Sequence, residues 1–140
     1  MAVAEYLVPE DLPTAIELLG RHRAGLTVMA GGTVVMSQLN DGGLRPERIL
    51  SLRRAGLNGL QVRPDERGGG RPDVLAIGAA TTLSRLAGQD TVALLAEAAL
   101  GTGSWSIRNM ASVGGNLFTP PPGGDVAVAL LALDTRLRLA

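Results

Sequence analysis

The chain has 140 residues, enough for one domain or two small lobes and enough to fold without disulfide or metal staples. It contains no Cys, one His (His22) and no Lys, because all 13 basic residues are Arg; thiolate, iron–sulfur, multi-His metal, Schiff-base lysine and P-loop lysine chemistry within the chain are thereby excluded. The 13 Arg are balanced by 13 acids, so no basic excess points to nucleic acid.

Aromatic residues make up only 2% of the chain (Tyr6, Trp105 and Phe118), so the core is expected to be aliphatic. Residues 4–7 read as a short opening strand. Asp11 is placed to cap a helix with Pro13 in its first turn, and Leu12, Ile16 and Leu19 follow at helical spacing up to Gly20. Residues 26–30 form a compact apolar run, read as a buried strand that leads into Gly31-Gly32-Thr33. A short helix over 34–39 and a strand over 48–52 follow.

Near residue 55 the texture changes. Residues 60–63 and 74–78 read as the strands of a hairpin whose long tip is polar and glycine-rich. Residues 82–86 begin a helix capped by Thr81 or Thr82, 92–100 form an Ala/Leu helix ended by Gly101, and 104–110 give a further helical turn. Residues 111–124 read as an irregular Gly/Pro loop. A helix follows over 125–133 with Asp125 in its first turn, where a carboxylate suits the dipole. Residues 135–140 alternate as a strand does. No apolar run is long enough to span a bilayer and the N-terminus has no signal-peptide pattern, so the expected compartment is the cytoplasm.

Two glycine loops carry the chemistry. Ala30-Gly31-Gly32-Thr33 lies between a strand and a helix, and Ala111-Ser112-Val113-Gly114-Gly115-Asn116 lies further on. Paired glycines let backbone N–H groups approach an anion, a following helix adds free N–H groups at its positive end, and Thr33 and Ser112 add hydroxyls. Each pair read alone is more simply a tight turn. Neither fits G-x-G-x-x-G after a strand, nor G-x-x-x-x-G-K, so residue pattern alone reaches a possible phosphate-binding α+β domain. His22, between Arg21 and Arg23, reads as a solvated helix end, Trp105 as a packing residue, and Asp65-Glu66-Arg67 as a charged loop tip. Arg108 is placed either to face a phosphate or to pair with an acid and fix its loop, and the structural reading is the favoured one.

Several segments in order resemble the FAD-binding domain of molybdenum-containing hydroxylases, the flavin subunits of the xanthine and carbon monoxide dehydrogenase family. They are Tyr6-x-x-Pro9, Ala30-Gly31-Gly32-Thr33, Leu44-Arg45-Pro46, Ile77-Gly78-Ala79-Ala80-Thr81-Thr82, Ile107-Arg108-Asn109-Met110-Ala111-Ser112-Val113-Gly114-Gly115-Asn116, and Asp125. The resemblance implies an α+β, two-lobed FAD-binding fold of the PCMH type. Its small α/β lobe would comprise residues 1–55, and an antiparallel-sheet lobe with helices residues 56–140. Family members continue past this point, so the chain is expected to be truncated at its C-terminus and to hold FAD weakly or not at all by itself.

The resemblance also implies a site. The stretch of Val28, Met29, Ala30, Gly31, Gly32, Thr33, Val34 and Val35 would lie against the FAD pyrophosphate, and Ser112, Gly115 and Asn116 would supply a second phosphate contact. Phe118 would lie near the flavin or its linker. Asp125, preceded by Gly124, would accept hydrogen bonds from a sugar hydroxyl, and Thr102 and Gly103 would add further contacts. No catalytic acid or base and no metal ligand is expected. The implied role is that of an FAD-dependent oxidoreductase subunit within a hetero-oligomer. Electrons would come from a large molybdopterin subunit through an iron–sulfur subunit and leave to NAD, quinone or oxygen. Two rivals stay open: a PCMH-type flavoprotein acting without molybdenum, and a non-catalytic nucleotide-binding or assembly module without flavin.

Overall fold

A computed structural model describes residues 3–70, 72–120 and 123–140. Three short strands, β1 (Glu5–Leu7), β2 (Leu26–Met29) and β3 (Arg48–Ser51), form a parallel sheet in the order β1-β3-β2. Tyr6 and Thr27 both face Ile49 across the register. The middle strand is the apolar one: Ile49, Leu50 and Ser51 are all buried, as befits a strand covered on both sides. The outer strand β2 is less covered than its sequence suggests. Met29 is buried, but Val28 is exposed because β2 is an edge strand.

Helix α1 (Leu12–Arg21) joins β1 to β2 and packs on β3. Asp11 caps it by accepting the Thr14 amide at 2.8 Å, and Pro13 sits in the first turn where its missing N–H costs nothing. Its buried residue is Ala15, small enough to let the helix approach the sheet, while Ile16 and Leu19 stay half-exposed. Gly20 does not end the helix, which runs on to Arg21. Helix α2 (Thr33–Asn40) then joins β2 to β3, and a 3₁₀ turn, Leu52–Arg54, follows β3 directly.

The second sheet is the expected hairpin, β4 (Leu60–Arg63) against β5 (Val74–Ile77), antiparallel with Leu60 opposite Ile77. Five helices follow: α3 (Leu83–Ala87), α4 (Ala93–Gly101), α5 (Trp105–Met110), α6 (Val113–Leu117) and α7 (Asp125–Ala132). They enclose an aliphatic core of Leu83, Leu86, Leu95, Ala99, Val126 and Leu130, against which Leu60, Leu75 and Ile77 of the hairpin pack. Burying such side chains contributes about 1.5–3 kcal/mol each for the larger ones, so this aliphatic cluster holds the second half together without aromatic residues.

Four expectations are corrected. Residues 111–124 are not wholly irregular: Ser112 accepts the Gly115 amide at 3.1 Å and so caps the short helix α6. Pro121 and Pro122 of that stretch lie outside the described residues. Residues 135–140 pair with no strand among the described residues and are exposed, since alternation gives a strand only where a neighbouring edge accepts its hydrogen bonds. They are tied instead by Arg138, which donates to Glu66 at 2.8 Å. Trp105 is no packing residue, being 72% exposed at the first position of α5. The charged tip is not merely solvated: Arg67 pairs with Asp65, whose carboxylate holds the guanidinium protonated above its ordinary range, and Glu66 faces Arg63 at 3.5 Å.

Among the described residues no helix is long and apolar enough to cross a membrane. Also among them, no group of three or more His, Cys, Asp or Glu could hold a metal ion.

Candidate functional site

The first glycine loop follows the C-terminal end of β2, on the rim of the parallel sheet. Gly32 takes φ +79°, a left-handed backbone that costs other residues about 1–2 kcal/mol, and from there the chain turns into α2. Gly32 is the N-cap and has no side chain to satisfy the first amides. Met36 donates to the Gly32 carbonyl at 2.8 Å. The amides of Gly31, Gly32, Thr33, Val34 and Val35 have no acceptor among the described residues. No acidic residue occupies the first turn to neutralise the helix dipole. Free N–H groups at the positive end of a helix form a binding site for a phosphate-like anion.

The second loop is built differently. Its amides from Val113 onward are already engaged: Val113 donates to the Thr81 carbonyl at 2.9 Å, Gly114 to Ala79 at 2.7 Å, and Asn116 to Ser112 at 2.9 Å. Gly115 donates to the Ser112 hydroxyl at 3.1 Å. Ser112 also forms an isolated β-bridge with Thr82, the N-cap of α3. A Cβ at Gly114 would lie 2.9 Å from the Ala79 carbonyl oxygen, so the glycine there permits backbone-on-backbone docking. Of the two glycine loops, the first therefore has unspent donors, and the second uses its own to dock onto the segment before α3.

The two loops meet. A Cβ at Gly31 would lie 2.8 Å from the Met110 carbonyl carbon and 2.9 Å from the Ala111 Cα, and closer still to the Met110 oxygen. Only glycine allows the sheet rim to touch the end of α5 in this way.

The remaining residues singled out from the sequence divide into two groups. Asn116 is buried and accepts the Ala127 amide through Oδ1 at 3.2 Å, and Gly124, at φ +92°, sits against the Asn116 carbonyl. Together they set the start of α7, where Asp125 is exposed and no described hydrogen bond or ion pair engages its carboxylate. Phe118 is 87% exposed just after α6. Thr102 and Gly103 lie elsewhere, in the turn between α4 and α5, and no described hydrogen bond links them to the first loop. Thr102 donates to the Ala98 carbonyl at 2.9 Å. Arg108 donates to the carbonyls of Gly103 at 2.7 Å and Leu100 at 3.1 Å, so it does fix its loop, through carbonyls and not through an acid. His22 caps the C-terminus of α1.

Between the sheet rim and the hairpin–helix half lies a cleft of about 390 Å³, within the range of small-molecule sites. Ala30 and Gly31 line it from the end of β2, Arg53 from the turn after β3, and Asn58, Arg85 and Met110 from the other side. Ligands of α/β sheets bind outside the carboxyl ends of parallel strands, and both strand ends open here. Arg53 and Arg85 escaped the sequence reading. The available signal was Arg53 placed directly after a predicted strand.

This arrangement has counterparts. Residues 2–140 match the family described as FAD binding domain in molybdopterin dehydrogenase. The FAD subunit of nicotinate dehydrogenase from Eubacterium barkeri is 29% identical, over 96% of this chain and 45% of its own length. The medium chain of carbon monoxide dehydrogenase from Hydrogenophaga pseudoflava is 27% identical, over 96% of this chain and 46% of its own. Among solved structures, reconstituted CO dehydrogenase from Oligotropha carboxidovorans superposes with a TM-score of 0.77 at 28% identity, covering 89% of this chain and 43% of that one. The chain thus spans less than half the length of these relatives. With nearly every residue inside the match and the same fold in a solved relative, the chain belongs to the family of FAD-binding domains in molybdopterin dehydrogenases.

Proposed function

We propose that this chain holds FAD as part of the flavin subunit of a molybdenum-containing dehydrogenase, with the pyrophosphate on the amides of residues 31–35. The observation that carries this reading is that run of five amides without acceptors at the start of α2. The donor set suits the group: a pyrophosphate needs several N–H donors and no proton transfer, and a chain without lysine supplies them from backbone and helix dipole. Thr33 adds a hydroxyl, and Asp125 offers a carboxylate with no other engagement to a sugar hydroxyl. Phe118, exposed just after α6, offers an aromatic face near the flavin or its linker. In this reading Ser112, Gly115 and Asn116 shape the wall: the amides of Gly115 and Asn116 are spent on the hydroxyl and carbonyl of Ser112.

Bound FAD supplies the redox chemistry; the residues position it and exclude competing contacts. Residues 1–55 and 56–140 act as the two lobes of the site in this account. A large molybdopterin subunit and an iron–sulfur subunit are the partners it calls for, in a cytoplasmic hetero-oligomer, with NAD, quinone or oxygen as the final acceptor. Relatives named as dehydrogenase subunits support this assignment.

Comparative titration tests it. The chain is titrated with FAD and with riboflavin, which lacks the pyrophosphate, following flavin fluorescence. A site anchored on phosphate binds FAD at least about tenfold more tightly, the scale of one or two hydrogen bonds to a charged group. Equal affinity for the two flavins would contradict the reading.

A further inference from the structure

Of residues 31–35 only Gly31 lines the cleft. Its charged lining consists of two guanidiniums, Arg53 and Arg85, with no carboxylate facing them. Six other arginines, Arg21, Arg48, Arg54, Arg63, Arg67 and Arg138, have carboxylate partners. Arg53 makes no described hydrogen bond or ion pair, although Arg54 beside it reaches Glu10 at 4.0 Å. Arg85 is held in place by one bond, from Nη1 to the Asn58 carbonyl at 2.6 Å, which leaves Nε and Nη2 without described partners. A guanidinium has five N–H donors in a planar fork, so most of the donor capacity of both side chains remains open.

Two like charges lining one concave site repel each other unless an anion lies between them. The polar companions in the cleft, Asn58, Thr81, Thr82 and Asn109, carry no charge to offset them. The two arginines come from opposite sides: Arg53 follows the end of β3, and Arg85 lies on α3. A tetrahedral oxyanion can take a fork from each side, which is the geometry that arginine recognises best.

We propose that Arg53 and Arg85 form a phosphate-binding site in this cleft, separate from the amides of residues 31–35. Its ligand is a phosphate group with one of two sources: the pyrophosphate of FAD itself, reached from its far side, or a second phosphate-bearing molecule docked beside the flavin. The first source rests on the proposed FAD reading; the arginine site does not.

The test uses the full 140-residue chain and inorganic pyrophosphate as the probe, measured by calorimetric titration at fixed ionic strength. Arg53→Gln is the decisive variant, because the Arg53 side chain makes no described hydrogen bond or ion pair that the fold would lose. Arg85→Gln is a second arm, and Arg23→Gln, outside the cleft, is the control. Pyrophosphate is expected to bind the parent and the Arg23→Gln control alike, and about tenfold or more weakly to Arg53→Gln and Arg85→Gln. Repeating the titration with FAD at saturation separates the sources. Competition assigns the site to FAD, whereas retained binding assigns it to a second phosphate-bearing ligand. No pyrophosphate binding by the parent, or unchanged affinity in a folded Arg53→Gln protein, overturns the proposal. A separate FAD titration of the parent shows whether the flavin reading stands or falls on its own.

Discussion

Gly31 and Met110 touch backbone to backbone: a Cβ at residue 31 would lie 2.8 Å from the carbonyl carbon of Met110. The rim of the parallel sheet and the C-terminal end of α5 are held together at that point, with the unspent amides of α2 beginning at the same residue. The steric tolerance of each glycine in the two loops follows from such distances, and the ranking differs from what paired glycines suggest in the sequence.

Gly31→Ala should therefore be the most damaging of the loop substitutions. Forcing a methyl group into a backbone contact costs about 1–3 kcal/mol or more, because main-chain atoms cannot swing aside. Gly115→Ala meets only the Ser112 hydroxyl, at 3.1 Å, and should change stability by less than about 1 kcal/mol. Urea unfolding of the two variants gives the comparison, with the midpoint expected to fall far more for Gly31→Ala. Equal midpoints would show that the two halves are not pinned at Gly31.

Ser112 is buried and caps α6. Ser112→Ala should cost about 0.5–2 kcal/mol by leaving the Gly115 amide without an acceptor, and Ser112→Thr should recover part of that. Thermal melts of the two variants check it. A fully stable Ser112→Ala protein would mean that α6 is held by its docking onto Ala79 and Thr81 alone.

Asp125→Asn separates cofactor contact from helix support. The N-cap of α7 is Gly124, so the carboxylate contributes to the helix only through the dipole, and stability should shift by less than about 1 kcal/mol. FAD affinity should fall about tenfold, as for a lost hydrogen bond to a charged group. An unchanged dissociation constant in the flavin titration would remove Asp125 from the site.

The N-terminus of α1 should be acid-sensitive. Hydrogen bonds from Thr14, its hydroxyl foremost and then its amide, hold the Asp11 carboxyl below its ordinary value of 3.8. A depressed folded-state pKa means that this contribution is complete above 3.8 and fades as pH falls through the lowered value. Asp11→Asn, which keeps a capping oxygen but no titrating group, should flatten the stability profile in that acid range. An identical pH dependence in both proteins would show that the cap does not titrate with folding.

Much of the fold was legible because it depends on local signals. Asp11 and Thr82 cap the helices that their positions suggest, and the Leu60–Arg63 and Val74–Ile77 hairpin follows from apolar runs around a polar tip. What was not legible depends on partners distant in sequence. Alternation over residues 135–140 does not reveal whether a strand edge is available to pair with. The aromatic character of Trp105 does not reveal that α5 turns it outward. The second glycine loop reads like the first, but its amides are engaged by Thr81 and Ala79, more than 30 positions earlier, a contact that only the tertiary fold creates. Arg53 and Arg85 meet in one cleft for the same reason.

The central claim is that the amides of residues 31–35 hold the phosphates of FAD. Nuclear magnetic resonance of the ¹⁵N-labelled chain during an FAD titration reads those amides one by one. The account predicts that the largest shift changes occur at Gly31, Gly32, Thr33, Val34 and Val35, and that Val113 to Asn116, whose N–H groups are already bonded, move less. Saturable FAD binding that leaves residues 31–35 unmoved would contradict it.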